Sequence, residues 1–284
     1  MSKHTVHGKV GAITGAGSGI GRALAVELSR RGASVALSDV DEVGLERTAA
    51  LVAGPVQTAV VDSSDCHAVH RWASEVVALF GRVHQIYNNA GIAPGRMVLE
   101  SSWADYEQVL AVNFAGVIHG TQAFLPHLIA SGDGAVVNVS SINGIFAQPS
   151  LSQYCASKFA IRGFTESLRA EMLLAGHPVR VSGVYPGGVA TSIAENAARI
   201  AEAAGEALTA AQRARTRTYQ ERLLKLPPAE AARIIVDGVE RGRPRIRVGR
   251  DAVALDRLTR LAPATATRFA VAMERRILAS EGIE

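Results

Sequence analysis

The chain has 284 residues, enough for one large α/β domain with a deep core or for two small domains. Hydrophobic residues make up 48% and aromatic residues only 5%, so we expect a core of Ala, Val, Leu and Ile, as in a parallel sheet covered by helices. A net charge of +4, with no aromatics inside the basic run Arg241–Arg250, argues against nucleic-acid binding. Two cysteines without CxxC spacing, no apolar signal core and no apolar run near the ~20 residues of a membrane span predict a cytoplasmic protein without integral membrane association.

Strand-like and helix-like segments alternate along the chain. The apolar runs predict strands at Lys9–Thr14, Ser34–Asp39, Val56–Val61, Val83–Asn88, Ala135–Ser140, Val179–Tyr185 and Arg245–Gly249. Between them, helices are predicted at Gly21–Arg31, Val43–Ala53, His67–Phe80, Ser102–Ser131 and Tyr154–Ala175. This alternation predicts an α/β fold, a doubly wound parallel sheet of the Rossmann type with helices on both faces.

No linker divides the chain, so we expect a single dinucleotide-binding and catalytic domain over residues 1–284. Three segments lie outside the alternating pattern. Residues 1–7 form an N-terminal tail, residues 190–226 an Ala-, Arg- and Glu-rich helical insert in the substrate loop, and residues 251–284 a C-terminal helical extension.

The turn after the first predicted strand is rich in glycine. Gly15, Gly19 and Gly21 stand between that strand and the first helix, where residues without Cβ allow a tight turn. A pyrophosphate could then approach the backbone N–H groups and the positive end of the helix. Taken alone, the same pattern also describes a plain tight turn.

Asp39 stands 18 residues after Gly21, at the end of the second predicted strand. A carboxylate at this place would accept hydrogen bonds from the adenosine ribose hydroxyls and would repel a 2′-phosphate. Its neighbours Ser38 and Val40 are not basic, and the nearest cation, Arg22, belongs to the helix. Together with the glycine turn, Asp39 predicts NAD as the cofactor, although a solvated acid at a strand end would explain Asp39 alone.

Tyr154 and Lys158 are four residues apart, which on a helix places both side chains on one face. A free tyrosine titrates near ~10 and is a poor base at neutral pH. A nearby ammonium group should stabilise the phenolate and lower the pKa, so that the tyrosine could take a proton from an alcohol. An isolated pair of this spacing is more often a surface lysine beside a packed tyrosine, and its surroundings must decide.

Several motifs together resemble the short-chain dehydrogenase/reductase family over roughly residues 8 to 190. The motifs are Thr14-Gly15…Gly19-Ile20-Gly21, Asp62 after the third strand, Asn88-Asn89-Ala90-Gly91, Asn113, Ser140-Ser141, Tyr154…Lys158 and Pro186-Gly187…Val189…Thr191. In this order and spacing they are highly specific.

The resemblance implies a catalytic role for four residues. Ser141, thirteen residues before Tyr154, would hydrogen-bond the substrate oxygen, and Ser140 is the weaker candidate by that spacing. Tyr154 would be the general acid and base. Lys158 would also hold the nicotinamide ribose, and Asn113 would hold a water that links Lys158 to bulk solvent.

The resemblance also implies a cofactor site. Asp62 would contact the adenine, Asn89 would support the floor of the cleft, and Val189 and Thr191 would meet the nicotinamide carboxamide. The cofactor-binding residues predicted jointly are Gly15, Gly17, Ser18, Gly19, Ile20, Gly21, Asp39, Asp62, Asn89, Ala90, Gly91, Tyr154, Lys158, Pro186, Gly187, Val189 and Thr191. No metal is expected, because the eight histidines show no ligand spacing.

The predicted function is NAD-dependent interconversion of a secondary alcohol and a ketone or aldehyde on a hydrophobic small molecule. Met97, Val98, Ile193, Ala194, Ala197 and Ile200 suggest the apolar pocket. The alternatives are an NADP-dependent carbonyl reductase, a peripheral-membrane enzyme acting on lipid-like alcohols, and a non-catalytic nucleotide-binding protein.

The chain departs from the family pattern at its C-terminal end. Apolar residues recur at helical spacing through residues 251–261 and 264–278. This extension is interpreted as a helix pair packed on its own subunit or on a partner, as a lid on the substrate pocket, or as a basic amphipathic surface for membranes. A homo-oligomer, dimer or tetramer, is expected, and the extension puts the common tetramer in doubt.

Overall fold

The structure is a computed structural model that describes residues 4–191, 217–218 and 224–280. Its centre is a sheet of parallel strands in the order β3-β2-β1-β4-β5-β6-β7. The strands are β1 Val10–Thr14, β2 Ser34–Asp39, β3 Val56–Val60, β4 Gln85–Asn88, β5 Gly134–Val139, β6 Val179–Pro186 and β7 Arg245–Val248. The predicted α/β fold is confirmed, and every predicted strand is present with small differences at its ends.

Helices cover both faces of this sheet. They are α1 Gly19–Arg30, α2 Glu42–Ala49, α3 Cys66–Phe80, α4 Trp103–Leu110, α5 Gly116–Ala130, α6 Ser152–Leu174, α7 Pro228–Glu240, α8 Arg250–Leu261 and α9 Pro263–Ser280. The sequence explains where α3 begins and ends. The Asp65 side chain accepts a hydrogen bond from Ala68 N at the start of the helix, and Gly81, with a φ of 72°, ends it in the left-handed region that favours glycine.

Alternate residues of the strands face two separate cores. On β1, Ile13 belongs to the core beneath α1 and α7, whereas Ala12 belongs to the core beneath α3 and α5. The second core holds the aromatic pair Trp72 and Phe124, whose ring centroids are 5.1 Å apart. Both faces are therefore buried along the central strands β1, β4 and β5, which explains why these strands read as apolar runs.

The predicted helix Ser102–Ser131 is interrupted by a π-helical turn, Ala111–Ala115, between α4 and α5. Its two glycines are explained by close packing. A Cβ at Gly120 would lie 2.1 Å from Asn88 Oδ1, and a Cβ at Gly116 would lie 3.1 Å from Ser63 Cβ. In the described part of the chain, this Trp103–Ala130 run alone is long and apolar enough to cross a membrane, and 44% of its most apolar window is buried inside the protein.

The strand order places a topological switch point between β1 and β4. After β1 the next strands are added towards one edge of the sheet, and after β4 they are added towards the other edge. In doubly wound folds, ligands bind in the crevice outside the carboxyl ends of the strands at such a point. We therefore expect a ligand site at the turns that follow β1 and β4.

The C-terminal extension forms two helices that pack on their own subunit. Ala266 and Ala270 of α9 lie against Phe146, and the rings of Phe146 and Phe269 have centroids 6.3 Å apart. Phe146 follows Ser141 by only five residues, so the extension supports the loop that carries a predicted catalytic serine.

Residues 4–7 lie against the domain, since Val6 is fully buried and its N–H donates to Glu240 Oε1 at 3.2 Å. Most of the predicted 190–226 insert, including Ile193, Ala194, Ala197 and Ile200, lies outside the described residues.

Candidate active site

The glycine turn after β1 has the backbone that its sequence predicts. Gly15 and Gly19 have φ values of 66° and 52°, which side chains disfavour. A Cβ at Gly21 would lie 2.0 Å from the carbonyl oxygen of Gly15, and a Cβ at Gly15 would lie 2.7 Å from Ala90 Cα. The turn closes so tightly that these positions have no space for a side chain.

The N-terminus of α1 opens from this turn towards the switch point. Ser18 is its N-cap residue, and the Ser18 hydroxyl makes no capping hydrogen bond to the helix. The first turn of α1 holds no acidic side chain that would compete with an anion. Backbone N–H groups at Gly19, Ile20 and Gly21 are therefore suited to a phosphate, and the helix dipole adds to the attraction.

Asp39 lies beside the glycine turn, as its position at the end of β2 predicts. Its Oδ2 accepts a hydrogen bond from Gly17 N at 2.8 Å, and its Oδ1 accepts from Asp41 N at 3.0 Å. A Cβ at Gly17 would lie 2.9 Å from that carboxylate. The carboxylate is thus held against the turn.

Arg22 lies closer to this turn than its place in the helix suggested. Its guanidinium donates to the carbonyl oxygen of Gly17, and its Nε donates to Thr48 Oγ1 at 3.0 Å. Thr48 in turn donates to Ala16 O at 2.9 Å. The cation is tied to the loop and to α2.

The turn after β4 forms the floor of the same cleft. Asn89 Nδ2 donates to Thr14 O at 3.0 Å and to Gly15 O at 3.1 Å. Thr14 Oγ1 accepts from the backbone N–H groups of Asn89 and Ala90 at 3.0 and 3.1 Å. The structure brings Asn89 to the predicted place and adds Thr14, which joins the two turns. A threonine at a strand end directly before the glycine turn was the signal for it.

The segment that follows β6 forms the opposite wall. A Cβ at Gly19 would lie 3.2 Å from Thr191 Cγ2, so this segment faces the glycine turn. Val189 is buried and pairs with Leu226 in an isolated bridge. Asp62, after β3, is bound locally, with Oδ1 accepting from Ser64 N at 2.8 Å.

Tyr154 and Lys158 lie one turn apart in α6 and face this cleft together with Ser141. Lys158 Nζ is 5.5 Å from the centroid of the Tyr154 ring and donates to Val139 O at 3.1 Å. Ser141 lies near enough to Tyr154 for its hydroxyl to act on the phenol and lower the pKa of Tyr154. Ser141 lies in the loop after β5, and Tyr154 and Lys158 lie in α6, so the fold brings the three side chains together.

The two neighbouring serines have different surroundings. Ser140 Oγ is buried and donates to the carbonyl oxygen of Lys158 at 2.8 Å. Ser141 Oγ accepts from Asn143 N at 3.1 Å and meets Tyr154. The preference for Ser141 over Ser140 as the serine beside the tyrosine therefore agrees with the geometry.

Asn113 sits in the π turn between α4 and α5, a distortion often found at functional sites. Its amide group pairs with both backbone groups of Ile92, at 2.8 Å to the N–H and 2.9 Å to the carbonyl oxygen. Its Nδ2 also donates to Ser157 Oγ at 3.0 Å. A Cβ at Gly91 would lie 3.1 Å from Asn113 Oδ1 and 3.4 Å from Lys158 Nζ, so both side chains lie close to Gly91.

Burial is the main cause of the pKa shifts of Tyr154 and Lys158. It raises the pKa of Tyr154 to about 12, although the hydrogen bond from Ser141 acts to lower it. Burial also lowers the pKa of Lys158 to about 8. The expectation that Lys158 lowers the pKa of Tyr154 is therefore wrong for the protein groups alone, because removal from water disfavours both charged forms more strongly.

Part of the predicted substrate pocket lies within the described residues. The side chains of Met97 and Val98 are 51% and 63% exposed, and Leu99 and Trp103 add further exposed apolar surface. Ser150 Oγ lies 3.1 Å from Met97 Sδ, which joins this rim to the loop before α6. Among residues 4–191, 217–218 and 224–280, no group of three His, Cys, Asp or Glu side chains could hold a metal ion.

A parallel sheet with a glycine turn at its switch point defines a Rossmann-type dinucleotide-binding class. A family profile described as short chain dehydrogenase matches residues 9–201. SadH of Mycobacterium tuberculosis, whose name classes it among the oxidoreductases, is 48% identical over 268 residues, which cover 93% of this chain and 95% of that protein. The chain belongs to the short-chain dehydrogenase/reductase family, a family of oxidoreductases.

Two further relatives add detail. A solved short-chain dehydrogenase/reductase from Burkholderia phymatum, in complex with NAD, aligns with a TM-score of 0.85 and 33% identity, over 93% of this chain and 96% of that chain. The 3-oxoacyl-(acyl-carrier-protein) reductase FabG of Thermotoga maritima is 35% identical over 193 residues, or 67% of this chain and 78% of that protein.

Proposed function

We propose that this chain is an NAD-dependent dehydrogenase or reductase that interconverts a secondary alcohol and a ketone or aldehyde. The observation that carries this proposal is the meeting of Ser141, Tyr154 and Lys158 beside the glycine turn, at the switch point of the sheet. Asn113 lies next to this set, since both Asn113 and Lys158 lie close to Gly91. A proton-transfer group and an oxygen-binding hydroxyl thus face the place where a dinucleotide would lie.

Each side chain has a definite task in this proposal. The Ser141 hydroxyl donates a hydrogen bond to the substrate oxygen and holds it at the Tyr154 phenol. In alcohol oxidation the Tyr154 oxygen takes the hydroxyl proton, and in carbonyl reduction it returns a proton. NAD, when bound, would accept the hydride in alcohol oxidation, and NADH would supply it in carbonyl reduction.

Lys158 offsets the electrostatic cost of the phenolate. Burial raises the pKa of Tyr154 to about 12, so a charged phenolate needs a nearby cation. Burial lowers the pKa of Lys158 to about 8, which still leaves its ammonium group mostly protonated at neutral pH. Asn113 and Lys158 both lie close to Gly91, and in this proposal Asn113 holds the water through which Lys158 exchanges protons with solvent.

The residues present fit an NAD molecule. Glycines fill the positions where a Cβ would close the turn, and the α1 N-terminus suits a pyrophosphate. The carboxylate of Asp39 lies beside the glycine turn, and in this proposal it accepts the ribose hydroxyls and repels a 2′-phosphate. Arg22 near Gly17 is the one observation that favours NADP as a second candidate, but the carbonyl oxygen of Gly17 and Thr48 already engage its guanidinium.

The exposed apolar rim formed by Met97, Val98, Leu99 and Trp103 supports a hydrophobic substrate. The name of FabG describes a reductase of an oxo group, which agrees with a carbonyl at the reacting centre. We further propose that the protein is cytoplasmic and forms homo-oligomers, which are common in its family.

A panel of secondary alcohols and ketones of graded hydrophobicity, assayed with NAD(H) and NADP(H), tests the proposal. We expect turnover with at least one apolar substrate and higher kcat/KM with NAD. A preference for NADP would move the assignment to the second candidate. Binding of NAD without turnover on any substrate would favour a non-catalytic nucleotide-binding protein.

A further inference from the structure

The segment that follows β6 is held from two sides. Gly187 N donates to Val248 O at 2.9 Å, and Gly188 O accepts from Leu226 N at 3.0 Å. The N–H group of Gly188 donates to Asp251 Oδ2 at 2.7 Å. The hydrogen bond from Gly188 to Asp251 therefore depends on a side chain. A substitution at Asp251 can remove it while the backbone hydrogen bonds remain.

Glycines make the space for this carboxylate. A Cβ at Gly187 would lie 2.2 Å from Asp251 Oδ2, and a Cβ at Gly249 would lie 2.3 Å from Asp251 Oδ1. Gly249 also has a φ of 104°, a conformation that other residues rarely adopt. Side chains at either position would displace the carboxylate, so the backbone is shaped around it.

The helix that carries Asp251 is itself fixed to the sheet. Asp256, buried in α8, accepts from Arg247 of β7 at 3.0 Å and from Arg260 at 2.9 Å. Leu255 and Leu258 pack in the cluster around Phe146. Asp251 therefore stands on a rigid base, and its hydrogen bond can define where Gly188 lies.

We propose that Asp251 is a positioning residue that holds the segment Pro186–Thr191 in the conformation that meets the nicotinamide end of the cofactor. This inference rests on the proposed function, because it needs NAD in the cleft. It gives the C-terminal extension an indirect part in the cofactor site, through Gly188. The carboxylate acts only through Gly188 and touches neither cofactor nor substrate.

We expect Asp251→Ala to weaken binding of the whole cofactor but not binding of its adenosine half. Binding of NAD and of ADP is measured by calorimetry on wild-type and variant protein. ADP tests the adenosine half, which faces Asp39 and the glycine turn, and its affinity should not change. NAD affinity should fall by about fivefold to tenfold, the effect of losing one charge-assisted hydrogen bond that orders a loop.

Two further variants separate positioning from helix stability. Asp251→Asn keeps an acceptor oxygen but loses the charge, and it should bind NAD nearly as wild type does. Glu230→Ala removes another first-turn acid, from α7, where Glu230 lies 4.0 Å from Arg233. It should leave both affinities unchanged.

Equal NAD affinity in wild type and Asp251→Ala would overturn the inference, and so would a parallel loss of NAD and ADP affinity. If the alanine variant does not fold, Asp251→Ser takes its place, because serine suits a first helical turn but is one bond too short for the contact. Wild-type protein that binds ADP but not NAD would contradict the proposed function itself, so the two failures are distinguishable.

Discussion

Lys158 is a buried cation, and its burial lowers the stability of the folded state. Its side chain is 3% exposed, and burial lowers its pKa from 10.5 to about 8. The difference between these pKa values corresponds to roughly 3 kcal/mol of folding free energy. Since the unfolded chain keeps the higher pKa, the penalty is complete below about pH 8 and fades as the pH rises towards 10.5.

We predict that Lys158→Met stabilises the fold at neutral pH while it abolishes turnover. Methionine has similar length and no charge to desolvate. Loss of the 3.1 Å hydrogen bond to Val139 O destabilises the variant by about 1 kcal/mol. The net gain in folding stability is therefore roughly 1–2 kcal/mol. At ~2–4 °C per kcal/mol for a domain of this size, the melting temperature should rise by about 2–8 °C.

Thermal unfolding followed by circular dichroism at neutral and at alkaline pH measures this effect. The advantage of the methionine variant should shrink at alkaline pH, where wild-type Lys158 loses its proton. Lys9→Met is the matched control, because Lys9 is paired with Asp133 and its loss should destabilise. A Lys158→Met protein that melts below wild type at neutral pH, or whose advantage is independent of pH, would refute the reasoning.

Three further predictions concern the cleft and the extension. Asp39→Ala should narrow the preference for NAD in kcat/KM, and steady-state kinetics with both cofactors would show no change if Asp39 did not face the ribose. Ser141→Ala should lower kcat by about 100-fold with little change in melting temperature, whereas Ser140→Ala should mainly destabilise, by about 1–2 kcal/mol; the reverse pattern would exchange their roles. Deletion of residues 264–284 should alter substrate KM or oligomer size, because it uncovers Phe146, while NAD binding persists. Kinetics and light scattering that both match wild type would make this helix dispensable.

The fold could be predicted closely because its signals are local. Apolar runs fix strands that are buried on both faces, and the glycine at Gly81 ends a helix in the left-handed conformation. The glycine turn was predictable for the same reason, since three positions need residues without Cβ. The spacing of Tyr154 and Lys158 placed both on one helical face, where the structure has them.

Features that depend on burial and on long-range contacts could not be predicted. The raised pKa of Tyr154 follows from burial of the phenol, and the spacing of residues along the chain does not show burial. The π turn around Asn113 replaced part of one continuous predicted helix, because a helical period does not show a single extra residue. The bond between Asp251 and Gly188 joins residues 63 positions apart, and nothing in the sequence pairs them.

We propose that Tyr154 exchanges the proton with the substrate while NAD binds independently of Tyr154. Turnover and NAD affinity of Tyr154→Phe, with Tyr87→Phe as a control that removes a hydroxyl bound to Gln85 in the core, test this most directly. We expect Tyr154→Phe to bind NAD nearly as wild type does but to turn over at least ~100-fold more slowly, and we expect Tyr87→Phe to stay active. Comparable turnover in Tyr154→Phe and wild type would contradict the account.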